Sequence, residues 1–112
     1  LARGPYPSIY QFNVYHPGRD INVTRGFPCL AHVGMHVDSR GRLNATAQYR
    51  SHDVVMKGYG NYLGLGGLLG YMARAAGLPV GELLVVAGGA FLSGSVRRLH
   101  AARPDLEAAL DR

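Results

Sequence analysis

The stretch Phe27–Asn61 reads FPCLAHVGMHVDSRGRLNATAQYRSHDVVMKGYGN. It holds two runs in which apolar residues recur at every second position, with a polar loop between them. Folded back about Arg40, the runs pair Val33 with Ala47, Met35 with Ala45 and Val37 with Leu43 on one side of a ribbon. His32 with Gln48, Gly34 with Thr46 and His36 with Asn44 take the other side. Both strands keep period 2 in one register, as a half-buried antiparallel pair requires. The same register brings Cys29, the only cysteine, level with Ser51 and beside Arg50. A guanidinium beside a thiol raises its thiolate character. Strict alternation would point Arg50 away from Cys29, so the juxtaposition needs a β-bulge or a strand end at that level.

Outward from the hairpin, Ile9–Tyr15 is aromatic and β-branched and predicts a strand, ended by His16-Pro17-Gly18. Arg19–Gly26 reads as an irregular connection. A helix is predicted from about Tyr59 to Ala76, with Gly77 as its C′ stop and Pro79 beyond. Its leucines and Met72 leave almost no polar face, so the pattern predicts a helix buried all round, with glycines admitting another backbone. Glu82–Ala87 predicts a short buried strand closed by Gly88-Gly89. Ser93 or Ser95 can cap a helix through Val96, Leu99 and Ala102, and Pro104 opens a last turn through Leu106 and Leu110. Strands before and after one long apolar helix make the class α+β, with an antiparallel or mixed sheet.

At 112 residues the chain has room for one domain, residues 1–112. Its first residues, Leu1 to Pro5, resemble neither a leader nor a first strand, and it reads as the central to C-terminal part of a longer chain. No apolar run reaches the ~18 residues of a membrane span. A single cysteine rules out an intrachain disulfide and fits a reducing, cytoplasmic compartment. The net charge of +5 comes almost wholly from arginine, since Lys57 is the only lysine. That balance favours an anionic ligand. The arginines are scattered without interleaved aromatics, which argues against nucleic acid as a partner. His32 and His36 would lie ~13 Å apart on a strand, too far to share a metal. The cluster Gly64-Leu65-Gly66-Gly67 begins no helix and is not a dinucleotide fingerprint.

The order of the polar motifs carries a resemblance. Pro28-Cys29, then Gln48-Tyr49-Arg50-Ser51-His52-Asp53, then Asn61, a long apolar helix, Gly77-Leu78-Pro79-Val80-Gly81-Glu82 and a strand ending Gly88-Gly89 resemble thymidylate synthases and the related pyrimidine hydroxymethylases. The similarity spans Ile9 to about Leu99. It implies a thymidylate synthase-like fold and folate-dependent transfer of a methyl or hydroxymethyl group to C5 of a pyrimidine nucleotide, dUMP-like or modified. Methylenetetrahydrofolate would be the cofactor, with no metal, in a cytoplasmic homodimer. By the resemblance Cys29 is the nucleophile that adds to C6, and Arg50 supports the thiolate and binds the phosphate. Ser51 belongs to the phosphate site, and Asp53 lies near the pyrimidine. Asn61 reads the N3/O4 edge of the base. An amide can donate to O4 and accept from N3–H, which suits uracil; the hydroxymethylases that select cytosine use aspartate there.

The chain departs from the family pattern at several places. Leu30 stands where the family has histidine after the cysteine. Ala90-Phe91-Leu92-Ser93 replaces the aspartate, histidine and tyrosine that follow the glycine pair and hold the ribose. The arginine pair expected near Ser8-Ile9 is missing, and the catalytic glutamate would precede Leu1. A divergent transferase is therefore expected, the alternative being a non-catalytic nucleotide-binding or dimerisation module on the same fold.

Overall fold

The computed structural model describes residues 10–93 together with Arg103, Pro104 and Ala108. Its elements run β1 (Tyr10–Asn13), α1 (Pro17–Asp20), β2 (Leu30–Val37), β3 (Leu43–Tyr49), β4 (His52–Asp53), α2 (Gly58–Ala76), β5 (Val80–Ala87) and β6 (Ala90–Phe91). The fold is α+β. A mixed four-stranded sheet in the order β1-β2-β3-β5 is accompanied by a two-stranded sheet, β4-β6.

The hairpin has the register its alternation dictates. Val33 faces Ala47, Met35 faces Ala45 and Val37 faces Leu43, while His32, Gly34 and His36 face Gln48, Thr46 and Asn44. The inward residues Val33, Met35, Leu43, Ala45, Ala47 and Tyr49 are buried and form the sheet half of the core. The connecting loop is closed by the Asp38 carboxylate, which accepts the backbone amides of Arg40 and Arg42 at 2.9 Å each. Gly41 there takes the positive φ of 75° that a side chain would resist. β1 adds antiparallel to β2, with Tyr10 opposite Met35. β5 adds parallel to the far edge of β3, with Ala47 opposite Val85. A parallel neighbour needs a crossover, and α2 is that crossover.

Helix α2 runs nineteen residues and ends at Gly77, whose φ of 67° supplies the left-handed stop and whose amide returns to the Ala73 and Arg74 carbonyls. Its buried stripe, Leu65, Leu69 and Ala73, follows i, i+4, i+8 and lies against the sheet. The small Ala45, Ala47 and Ala73 allow that contact to close.

The helix is not buried all round, which corrects the sequence expectation. Tyr59, Leu63, Leu68 and Tyr71 are exposed. A single sheet covers one side of a helix, and no other described element reaches the opposite side. Nor do the helix glycines admit another backbone among the described residues. A Cβ placed on Gly60, Gly64, Gly66, Gly67 or Gly70 would meet nothing within 4 Å.

Two smaller differences follow from tertiary context. The connection after β1 contains the one-turn helix α1, held where Asp20 accepts the His16 amide at 2.7 Å and the Arg19 guanidinium at 2.6 Å. β5 begins at Val80, ahead of the expected Glu82, because Leu43 and Val80 already pair. The helix expected from Ser93 or Ser95 through Ala102 lies outside the described residues, as do Leu106 and Leu110. No helix among the described residues is long and apolar enough to cross a membrane.

Candidate functional site

The site forms where the main sheet stops being regular. Between His32 and Leu30 the β2–β3 register slips by one residue, so that Leu30 pairs with Tyr49 and Ala31 is the extra residue. The Ala31 carbonyl accepts the Val14 and Tyr15 amides at 2.9 and 3.2 Å, tying this bulge to the end of β1. As a result Cys29 lies opposite Arg50, not level with Ser51, and the Arg50 amide donates to the Cys29 carbonyl at 2.9 Å. This is the irregularity that a Cys29–Arg50 juxtaposition demands.

β3 and β5 break at the same level. The Gly88 amide donates to the Tyr49 carbonyl at 2.8 Å, and the His52 amide donates to the Gly89 carbonyl at 2.8 Å. Arg50-Ser51 on one strand and Gly88-Gly89 on the other thus form a joint. Beyond it the chains pair again as β4 and β6, His52 with Ala90 and Asp53 with Phe91. The joint redirects Ser51–Asp53 from the sheet toward the start of α2.

A pocket opens there, enclosing about 290 Å³ of empty space, open solvent included. Cys29, Ser51, His52, Asp53, Lys57, Asn61 and Phe91 line it. Four of the five residues singled out from the sequence (Cys29, Ser51, Asp53 and Asn61) therefore meet around one opening. Cys29 is exposed. The Asn61 amide side chain and the Ser51 hydroxyl are unpaired among the described residues, which leaves both available to a ligand.

Arg50 is placed differently. Its Nε donates to the Pro28 carbonyl and one terminal nitrogen to the Phe27 carbonyl, each at 3.0 Å. Its guanidinium carbon sits 3.5 Å from the centre of the Phe27 ring. Phe27 in turn meets Tyr15 edge-on, with centroids 6.3 Å apart. Arg50 thus clamps the two residues before the cysteine and does not line the pocket.

Asp53 is also committed to its own chain. Its carboxylate accepts the Ser93 hydroxyl, the Met56 amide at 3.1 Å and the Ser93 amide at 3.4 Å. The Ser93 hydroxyl, helped by the backbone amides, holds this carboxyl below the usual range against the opposing effect of burial.

His52, Lys57 and Phe91 are the pocket residues that sequence reasoning did not assign. His52 is 3 % exposed. Its ring stacks on Tyr49 at 4.5 Å and meets Tyr62 edge-on at 5.6 Å. Its Nε2 is buried without a hydrogen-bond partner among the described residues. Burial, with Cys29 and Tyr62 nearby, pushes the Tyr49 phenol up. Lys57 carried a signal that could have been read, since it stands four residues before Asn61 at the start of a helix. Phe91 carried none, because its place depends on the parallel pairing of β6 with β4.

No protein-family model matches the chain, and no curated protein matches it. The site's geometry and the order of its motifs are what bear on function.

Proposed function

We propose that the chain transfers a one-carbon unit to C5 of a pyrimidine nucleotide, on a thymidylate synthase-like fold and with Cys29 as nucleophile. The observation that carries this reading is the convergence of Cys29, Ser51 and Asn61 on one pocket from β2's lead-in, the joint and the first turn of α2. In this reading the Cys29 thiolate forms a bond to C6 and the C5–C6 π electrons move onto C5, conjugated with the C4 carbonyl. Asn61 stabilises that enolate by donating to O4 and fixes the ring by accepting from N3–H. Loss of the C5 proton to solvent and cleavage of the C6–S bond return the thiolate; a bound folate would supply the one-carbon unit to C5 and leave as its amine, with hydride from the folate completing a methyl group or water a hydroxymethyl group. Arg50 acts by holding Phe27 and Pro28, and so the approach of Cys29.

Methylenetetrahydrofolate would supply the one-carbon unit when bound. Phe91, half exposed at the edge of the pocket, is the described residue against which a flat pterin would lie. A homodimer in the cytoplasm is part of the same proposal.

A second reading, a nucleotide-binding module without transfer chemistry, is favoured by the commitment of Arg50 and Asp53 to their own chain. One experiment separates the two. Full-length protein incubated with 5-fluoro-dUMP and methylenetetrahydrofolate should give a covalent adduct at Cys29 by mass spectrometry, because fluorine at C5 cannot leave as a proton. Cys29→Ser should abolish the adduct, and Asn61→Asp should shift binding from uracil toward cytosine. Nucleotide binding with no adduct would establish the module instead.

A further inference from the structure

Arg50 is the anion contact that the resemblance assigns, yet two of its nitrogens are taken by carbonyls and it lies outside the pocket lining. The pocket nonetheless contains a cation. Lys57 is the chain's only lysine, and it is exposed. An exposed lysine is ordinarily a solvated charge. Three observations separate this one from that default. Its carbonyl accepts the Asn61 amide at 2.9 Å, so Lys57 and Asn61 stand one helical turn apart, and both line the pocket. The carboxylate nearest in the lining, Asp53, is occupied by Ser93 and Met56, and Lys57 forms no ion pair among the described residues. Lys57 is also the N-cap of α2, which has no side-chain cap and no acidic residue in its first turn. The unpaired amides there add positive potential beside the ammonium.

We propose that Lys57 holds an oxyanion of the pyrimidine ligand in this pocket, in place of Arg50. The inference rests on the pyrimidine reading of the site. The oxyanion is either the nucleotide phosphate or a carboxylate carried on the base, and Lys57 is the chain's ligand for it in both cases. The uncharged Asn61 and Ser51 then orient the ring, and the ammonium selects the charged form of the ligand.

The test is calorimetric titration of the full chain with deoxyuridine, dUMP and 5-carboxydeoxyuridine. At least one anionic probe should bind about ten- to a hundredfold tighter than deoxyuridine, as a hydrogen bond to a charged group implies. Which probe gains locates the oxyanion. Lys57→Gln should erase the gain, Lys57→Arg should keep most of it, and Arg50→Gln should leave the ratio between probes unchanged. A gain that persists in Lys57→Gln, or no gain with either anion, overturns the proposal. Trapping of Cys29 by 5-fluoro-dUMP with methylenetetrahydrofolate is read in parallel on the same protein preparations. Trapping with an anion preference that survives Lys57→Gln removes the Lys57 assignment alone. A preference lost in Lys57→Gln without any trapping keeps the assignment and removes the transfer chemistry.

Discussion

Asp53 and Asp20 are both carboxylates whose neighbours decide their work. Asp20 is lowered to about 2, first by the Arg19 guanidinium and then by the His16 amide, and Asp53 is lowered mainly by the Ser93 hydroxyl. An unfolded aspartate titrates near ~3.9. The folded chain therefore binds these protons less readily than the unfolded one. The stability they contribute is present above about pH 4 and is lost as pH falls through the folded values. Urea midpoints measured from pH 5 down to pH 2 should fall steeply in the native sequence and less steeply in Asp20→Asn. Ser93→Ala should raise the Asp53 pKa toward the ordinary range, which carboxyl carbon NMR would follow. Arg50→Lys tests the clamp, because an ammonium cannot reproduce the flat fork over Phe27. It should cost about 1 kcal/mol in denaturant unfolding.

The elements of this fold were legible to different depths. The hairpin register was written in the alternation of Val33, Met35 and Val37 against Leu43, Ala45 and Ala47, because a one-residue slip would have turned every one of them outward. An irregularity near Cys29 was called for by the Cys29–Arg50 pairing, but its place at Ala31 was not, since it depends on amides of Val14 and Tyr15 arriving from another strand. That single slip moved Cys29 from Ser51 to Arg50. Helix α2 was legible in extent but not in environment. Composition reports how apolar a helix is, and not how many sides its neighbours cover. Its glycines give a direct measurement. With open space around each, Gly64→Ala with Gly67→Ala should stabilise the isolated chain by up to ~1 kcal/mol per site in thermal or urea unfolding. Gly81→Ala should do the opposite by about 1–3 kcal/mol, because a Cβ there meets the Asn44 side chain and the Leu43 carbonyl at 2.9 Å or closer.

At the scale of the whole molecule, apolar side chains remain uncovered by the described residues on two sides. Leu63, Leu68 and Tyr71 of α2 form one set, and Leu84 and Val86 on the outward face of β5 form another. Isolated patches of this kind favour association. Light scattering should find the purified chain as a dimer or larger, and Leu84→Lys with Val86→Lys should shift it toward the monomer if the sheet face is the contact. The candidate site was legible at the level of its polar residues, because Cys29, Ser51, Asp53 and Asn61 sit on segments whose order along the chain is visible. Its aromatic wall was not, since Phe91 enters only through a pairing between strands distant in sequence.

That distance has a kinetic consequence. The β2–β3 hairpin closes across a few residues, whereas β5 must find β3 with Leu43 meeting Val80 and Tyr49 meeting Ala87. Contacts between remote positions form late, because the loop entropy is lost before they reward it. Ser51, His52, Asp53, Lys57 and Asn61 all lie inside that loop, and Phe91 follows it. In refolding, then, Cys29 is carried on a finished hairpin before the walls around it exist. Pulse alkylation of the thiol during refolding should go through an early interval of fast, unselective labelling. Only when β5 docks does the sulfur acquire surroundings that can choose what it reacts with.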